Sequence, residues 1–246
     1  MRTALCGLLF CAVVPGAQAT PETPEARGWK VLERALKAAG GRDLLAAVKD
    51  LSRELQTHVI LPQGDFDVPS KISVILPDTA RQESTLPVGT TTAALSRSGG
   101  WMKRPGGVSK IPDAELGRML ADLDREYILF HPPADRSAVR WLRDETVDSR
   151  PCDLIELAKV SGTPLLLAVD RQTGQVVRKS YRAEAPGGAV SDVEEFHSDF
   201  RAVEGRTFAF KVRVMRDGKL ARESVTRSLK INTGLQAQEL LTQPQP

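Results

Sequence analysis

Between Leu51 and Ile231 the apolar residues recur mostly with a period of two, and that rhythm is broken by helical spacing only once. Leu51, Leu55, Val59 and Leu61 alternate with Ser52, Glu54, Gln56 and His58, so this strand has one wet and one apolar face. Phe66, Val68, Ile72, Val74 and Leu76 share a parity until Pro77-Asp78 ends the run. Segments 79–86 and 90–97 follow, and Ser98-Gly99-Gly100 turns into Trp101-Met102. Further strands are predicted over 138–146, 151–160, 165–170, 175–183, 190–200, 207–216 and 219–231. Asp217-Gly218 is the strongest hairpin signal. About ten or eleven strands with no alternating helices predict an antiparallel, meandering sheet rather than a parallel one.

The helices are few. Trp29, Leu32, Leu36 and Ala39 lie on one helical face that Gly40-Gly41 stops, and Leu44, Leu45 and Val48 resume the spacing. The break in the strand rhythm is a helix at 112–127. Leu116, Met119, Leu120, Leu123 and Tyr127 form a narrow apolar stripe, with Glu115, Arg118, Asp122 and Arg125 on the other side. His131-Pro132-Pro133 ends it, and 236–241 reads as a short terminal helix.

Ahead of this lies an export signal. Arg2 precedes an apolar run from Ala4 to Val14, Pro15-Gly16 breaks it, and Ala17-Gln18-Ala19 supplies a small-x-small cleavage site. The run is too short to span a bilayer. Residues 1–19 are thus expected to be removed after Ala19, leaving a periplasmic chain with no transmembrane segment. Residues 20–27 are read as a flexible, Pro/Glu/Thr-rich leader, 28–241 as one domain and 242–246 as a frayed tail. Of three cysteines only Cys152 lies outside the signal, so no internal disulfide is available and Cys152 reads as a small buried hydrophobe.

Charge balance and motif spacing weigh against several functions. With 34 Lys and Arg against 31 Asp and Glu, the charges are balanced and interspersed, which is no nucleic-acid footprint. His58, His131 and His197 show no metal-ligand spacing with each other or with a carboxylate. No Gly-x-Ser-x-Gly elbow occurs, and His197, Ser198 and Asp199 are adjacent in a strand, where neighbours point to opposite faces. The chain reads as a non-enzyme without cofactor or metal. A hydrolase would need a cleft uniting His197 or His58 with a distant nucleophile.

The order of elements resembles the periplasmic lipoprotein-carrier and lipoprotein-sorting family. The likeness is carried by 35–44 with Ala47-Val48, by Gly100-Trp101-Met102 before a helix, and by 147–154, where Ser149 stands at a usual Gly. It continues through 167–174 with Asp170 and Thr173-Gly174, 200–208, and Asn232-Thr233-Gly234-Leu235. The resemblance implies a mostly β fold with helices: a strongly curved antiparallel sheet forming an unclosed β-barrel, its concave apolar face covered by the N-terminal and inserted helices. It implies binding of lipid or lipoprotein acyl chains in transit to the outer membrane. The ligand-binding residues expected are Leu55, Val59, Ile72 and Val74 on the sheet, Trp101 near the mouth, Met119, Leu120 and Leu123 on the lid, and Trp141. The alternative is an envelope interaction module, a protease accessory or stress-sensor-like domain, that binds a protein partner and no small molecule.

Overall fold

The computed structural model describes residues 22–160, 162–184 and 188–244; the signal at 1–19 lies outside them. The period-two segments form one sheet of thirteen antiparallel strands. These are β1 (Asp50–Val59), β2 (Phe66–Ile75), β3 (Thr79–Leu86), β4 (Gly89–Ser96), β5 (Gly99–Arg104), β6 (Gly107–Lys110), β7 (Val139–Val147), β8 (Arg150–Val160), β9 (Thr163–Asp170), β10 (Val176–Glu184), β11 (Val190–Val203), β12 (Arg206–Arg216) and β13 (Lys219–Ile231). Their spatial order is β6-β5-β4-β3-β2-β1-β13-β12-β11-β10-β9-β8-β7. The first strand therefore pairs with the last, Leu51 opposite Ile231, and the free edges are β6 and β7. Those edges do not meet, so the barrel is unclosed.

The count exceeds the ten or eleven strands expected because the Trp101 strand runs on to Arg104 and Gly107–Lys110 adds an edge. All four residues of that edge are exposed, so no apolar alternation marks it. Short exposed edges of this kind resist pairing with other chains.

Helix α1 (Pro24–Ala38) begins earlier than the sequence suggested. Pro24–Arg27 belong to the helix rather than to a flexible leader: the Thr23 side chain accepts a hydrogen bond from the Ala26 amide at 3.1 Å, and Pro24 occupies the first turn. Thr, Pro and Glu are here a helix start rather than low-complexity filler. After Gly40-Gly41 comes the short α2 (Arg42–Ala46). Helix α3 (Asp113–Glu126) crosses from the β6 edge toward the β7 edge. Helix α4 (Ala237–Leu241) packs on β3 and β4.

Two apolar clusters fill the concave face. One joins α1 and α2 to β7–β10 through Leu32, Leu36, Ile155, Leu157, Leu165 and Leu167. The other joins α3 to β1–β5 through Leu51, Val74, Leu95, Ile111 and Leu116. A third lies on the outer face and contains Cys152, fully buried with Leu154, Ala168 and Val177. Burial pushes the Cys152 thiol up, as expected of a core cysteine.

Candidate functional site

The α3 stripe lies on the concave face as its spacing requires. Leu116 is buried, while Met119, Leu120 and Leu123 are half-buried against the cluster of Leu51, Val74 and Ile231. Ile72 and Val74 from β2 join the same cluster. Leu55 and Val59 share Leu51's inward parity on β1, lie beyond that cluster and stay half-buried.

Two tryptophans sit elsewhere than expected. Trp101 pairs with Ala94, which pairs with Arg81, whereas Ala80 and Leu95, which face α3, have the opposite parity. Trp101 therefore points to the outer face, where its Nε1 donates to the Leu241 carbonyl at 2.7 Å beneath α4. Trp141 faces inward but is pinned under α1. The Arg27 guanidinium lies 3.6 Å from its ring centre, and its Nε1 donates to Asp153 at 3.1 Å. Asp153 also accepts from Arg27, Arg34 and Arg171; these partners outweigh burial and hold its carboxyl down at about 2. Trp141 thus anchors a helix rather than lining a cavity.

Two cavities flank the end of α3. One of about 100 Å³ lies between α1 and the sheet, lined by Ala38, Leu51, Phe130, Phe208 and Val212 among others. The second, about 330 Å³, is lined by Pro77 and Arg97 on one side of the barrel gap, by Ala158 and Val160 on the other, and by Leu123, Ile128 and His131. Tyr127 contributes to both walls. The larger space reaches the lower end of ordinary ligand pockets, about 300–1,000 Å³.

Where the smaller cavity meets α3 it becomes polar. Arg53 Nη1 donates to Glu126 at 2.6 Å and its Nη2 to Thr226 at 3.0 Å. Lys179 Nζ donates to the Arg125 and Glu126 carbonyls, both at 3.0 Å. Those carbonyls end α3, where cations are favoured by the exposed C=O groups and the helix dipole. Burial works against ionising Glu126, but Lys179 and Arg53 outweigh it and hold the carboxyl below its usual range. His197 faces the same space; burial, then Lys179, push its imidazole down to about 3, so it is neutral at pH 7. Burial likewise pushes the Tyr127 hydroxyl up to about 12.

Sequence reasoning missed this cluster. One signal was available: Arg53 lies at the parity of Leu51 and Leu55, a cation on the apolar face of its strand. A long charged side chain at such a position has to find buried partners.

No protein-family model matches the chain, and no curated protein matches its sequence. Solved structures do match its backbone. An outer membrane lipoprotein-sorting protein domain from Vibrio parahaemolyticus superposes over 88% of this chain and 97% of that one, with a TM-score of 0.55 at 12% identity. A LolA superfamily protein from Nitrosomonas europaea gives 88%, 97%, 0.57 and 10%. The fold is LolA-like. A DUF1329 family protein from Desulfovibrio piger gives 89%, 97%, 0.59 and 15%. At these identities the likeness is one of architecture, and it covers nearly the whole of each relative.

Among the described residues the three histidines lie in three separate surroundings. His58 is on the exposed β1–β2 hairpin, its Nδ1 2.9 Å from Asp67. His131 lines the larger cavity. His197 Nε2 has no hydrogen-bond partner, and its nearest carboxylate is Glu195 at 3.8 Å. Among the described residues no group of three His, Cys, Asp or Glu is placed to hold a metal, and no helix is long and apolar enough to cross a membrane.

Proposed function

We propose that this is an exported periplasmic binding protein for an acylated or otherwise apolar ligand, and that lipoprotein or lipid on its way to the outer membrane is its cargo. The export signal at 1–19, cleaved after Ala19, supports the compartment. The observation that carries the reading is α3 itself. Its stripe of Met119, Leu120 and Leu123 is only half-buried, and cavities open on both sides of its end. An acyl chain inserted beneath α3 would complete that burial, at roughly 0.8 kcal/mol for each CH₂ removed from water. The LolA-like fold, found in a lipoprotein-sorting domain, agrees with this use.

The residues proposed to contact the chain are Leu55, Val59, Ile72, Val74, Met119, Leu120 and Leu123. Solvent extraction of the purified protein followed by mass spectrometry identifies the cargo. Leu120→Glu places an unpaired charge beneath α3 and should weaken a fluorescent fatty-acyl probe about tenfold, roughly 1.4 kcal/mol, with the circular dichroism of the sheet unchanged. A wild-type protein that carries no lipid and binds no probe would sink the carrier reading in favour of the protein-binding module.

A further inference from the structure

The cavity of about 100 Å³ is apolar along most of its wall and charged at one end. Two cations, Arg53 and Lys179, line it against one carboxylate, Glu126. Arg53 is committed to Glu126 and Thr226. Lys179 Nζ donates to two neutral carbonyls, and Glu126 Oε2, at 3.7 Å, is beyond hydrogen-bond reach. Beside them His197 Nε2 is buried without a partner, its side chain 8% exposed. Glu195, opposite Lys179 on the neighbouring strand, has one oxygen occupied by the Tyr181 hydroxyl at 2.7 Å, and its other oxygen stays 3.8 Å from His197. A buried polar atom with no partner, next to an ammonium that donates only to carbonyls, is an incomplete site: it lacks a hydrogen-bond acceptor that both could share.

We infer that this pocket receives the carboxylate end of a single-chain amphiphile, a long-chain fatty acid, with Lys179 as its counter-ion and His197 as its second polar contact. The carboxylate is a pure acceptor with two oxygens, which suits an ammonium and an imidazole N–H together. The first carbons of the chain would follow the apolar wall of Phe130, Phe208 and Val212. An esterified acyl chain offers no charge to Lys179, so the site selects the free acid. The inference rests on the carrier reading and narrows its ligand class.

The test compares dodecanoate with its methyl ester on delipidated full-length protein by isothermal titration. Wild type should bind the acid at least tenfold more tightly than the ester. Lys179→Met should erase that preference, whereas Glu126→Gln should enlarge it by removing the competing carboxylate. Equal affinity of the wild type for acid and ester overturns the inference and leaves the carrier reading standing. Failure of both to bind defeats the carrier reading and this inference with it. Should Lys179→Met not fold by circular dichroism, the Glu126→Gln ratio decides, together with the ¹³C signal of carboxyl-labelled dodecanoate on wild type. In the complex that signal should titrate well below the free acid; an unshifted titration, or an unchanged Glu126→Gln ratio, overturns the assignment.

Discussion

Two helices cover the same concave face, and they cover it differently. On α1, Leu32 and Leu36 are almost fully enclosed by Ile155, Leu157, Leu165 and Leu167. The helix lies so close to β7 that a Cβ on Gly28 would sit 2.6 Å from the Trp141 backbone nitrogen. Arg27 and Arg34 then tie it to Asp153. On α3 only Leu116 among the apolar side chains is buried, Glu115 in its first turn pairs with Arg104 at 3.5 Å, and its hydrogen bonds to Arg53 and Lys179 gather at its last turn. Both helices are amphipathic, yet one is almost fully enclosed on its apolar side and the other is only partly enclosed. Amphipathic spacing says which side of a helix faces in, and the packing opposite says whether it can leave.

Truncation tests that difference most strongly. Leu32→Ala opens a hole in a fully enclosed site and should cost about 3 kcal/mol in urea denaturation. Acid should act next, through the α3 side. His197 has its folded pKa, about 3, below its ordinary value, so the unfolded chain takes up the proton first as pH falls. Stability is full above about pH 6.5 and declines toward pH 3, by roughly 2 kcal/mol between pH 7 and pH 5. Glu126, also depressed, extends the loss in the same direction at lower pH. His197→Gln should flatten the upper part of that decline. The smallest effect is expected at Met119→Ala, below about 1 kcal/mol, because the side chain is only partly buried. A Met119→Ala loss as large as that of Leu32→Ala would erase the distinction. Native-state hydrogen exchange gives a second measure: α3 amides should open at lower free energy than those of α1.

Much of the architecture was legible because periodicity survives folding unchanged. Thr79–Leu86 has the bounds read from the sequence, and α3 falls within 112–127. Asp217 and Gly218 both adopt positive φ, 49° and 74°, as a two-residue hairpin turn requires. What stayed hidden depends on partners remote in sequence. The face on which Trp101 lies is set by β4, β3 and the late helix α4. Trp141's role is set by Arg27, outside the strand that carries it. The cluster around Glu126 draws Arg53, Lys179 and His197 from β1, β10 and β11, so local spacing marks only Arg53 and not its partners.

The strand order has a consequence for the order of folding. Both free edges of the sheet fall in the middle of the chain, while β1 is held between β2 and β13. As the polypeptide emerges, β1 can pair with β2 at once, but its other side stays bare until the last strand exists. Contacts so distant in sequence slow folding and leave a strand edge open to wrong partners in the interval. The seam between Leu51 and Ile231 therefore cannot form until the last strand exists. Severing the chain in the β6–β7 connection would break no strand pair at all.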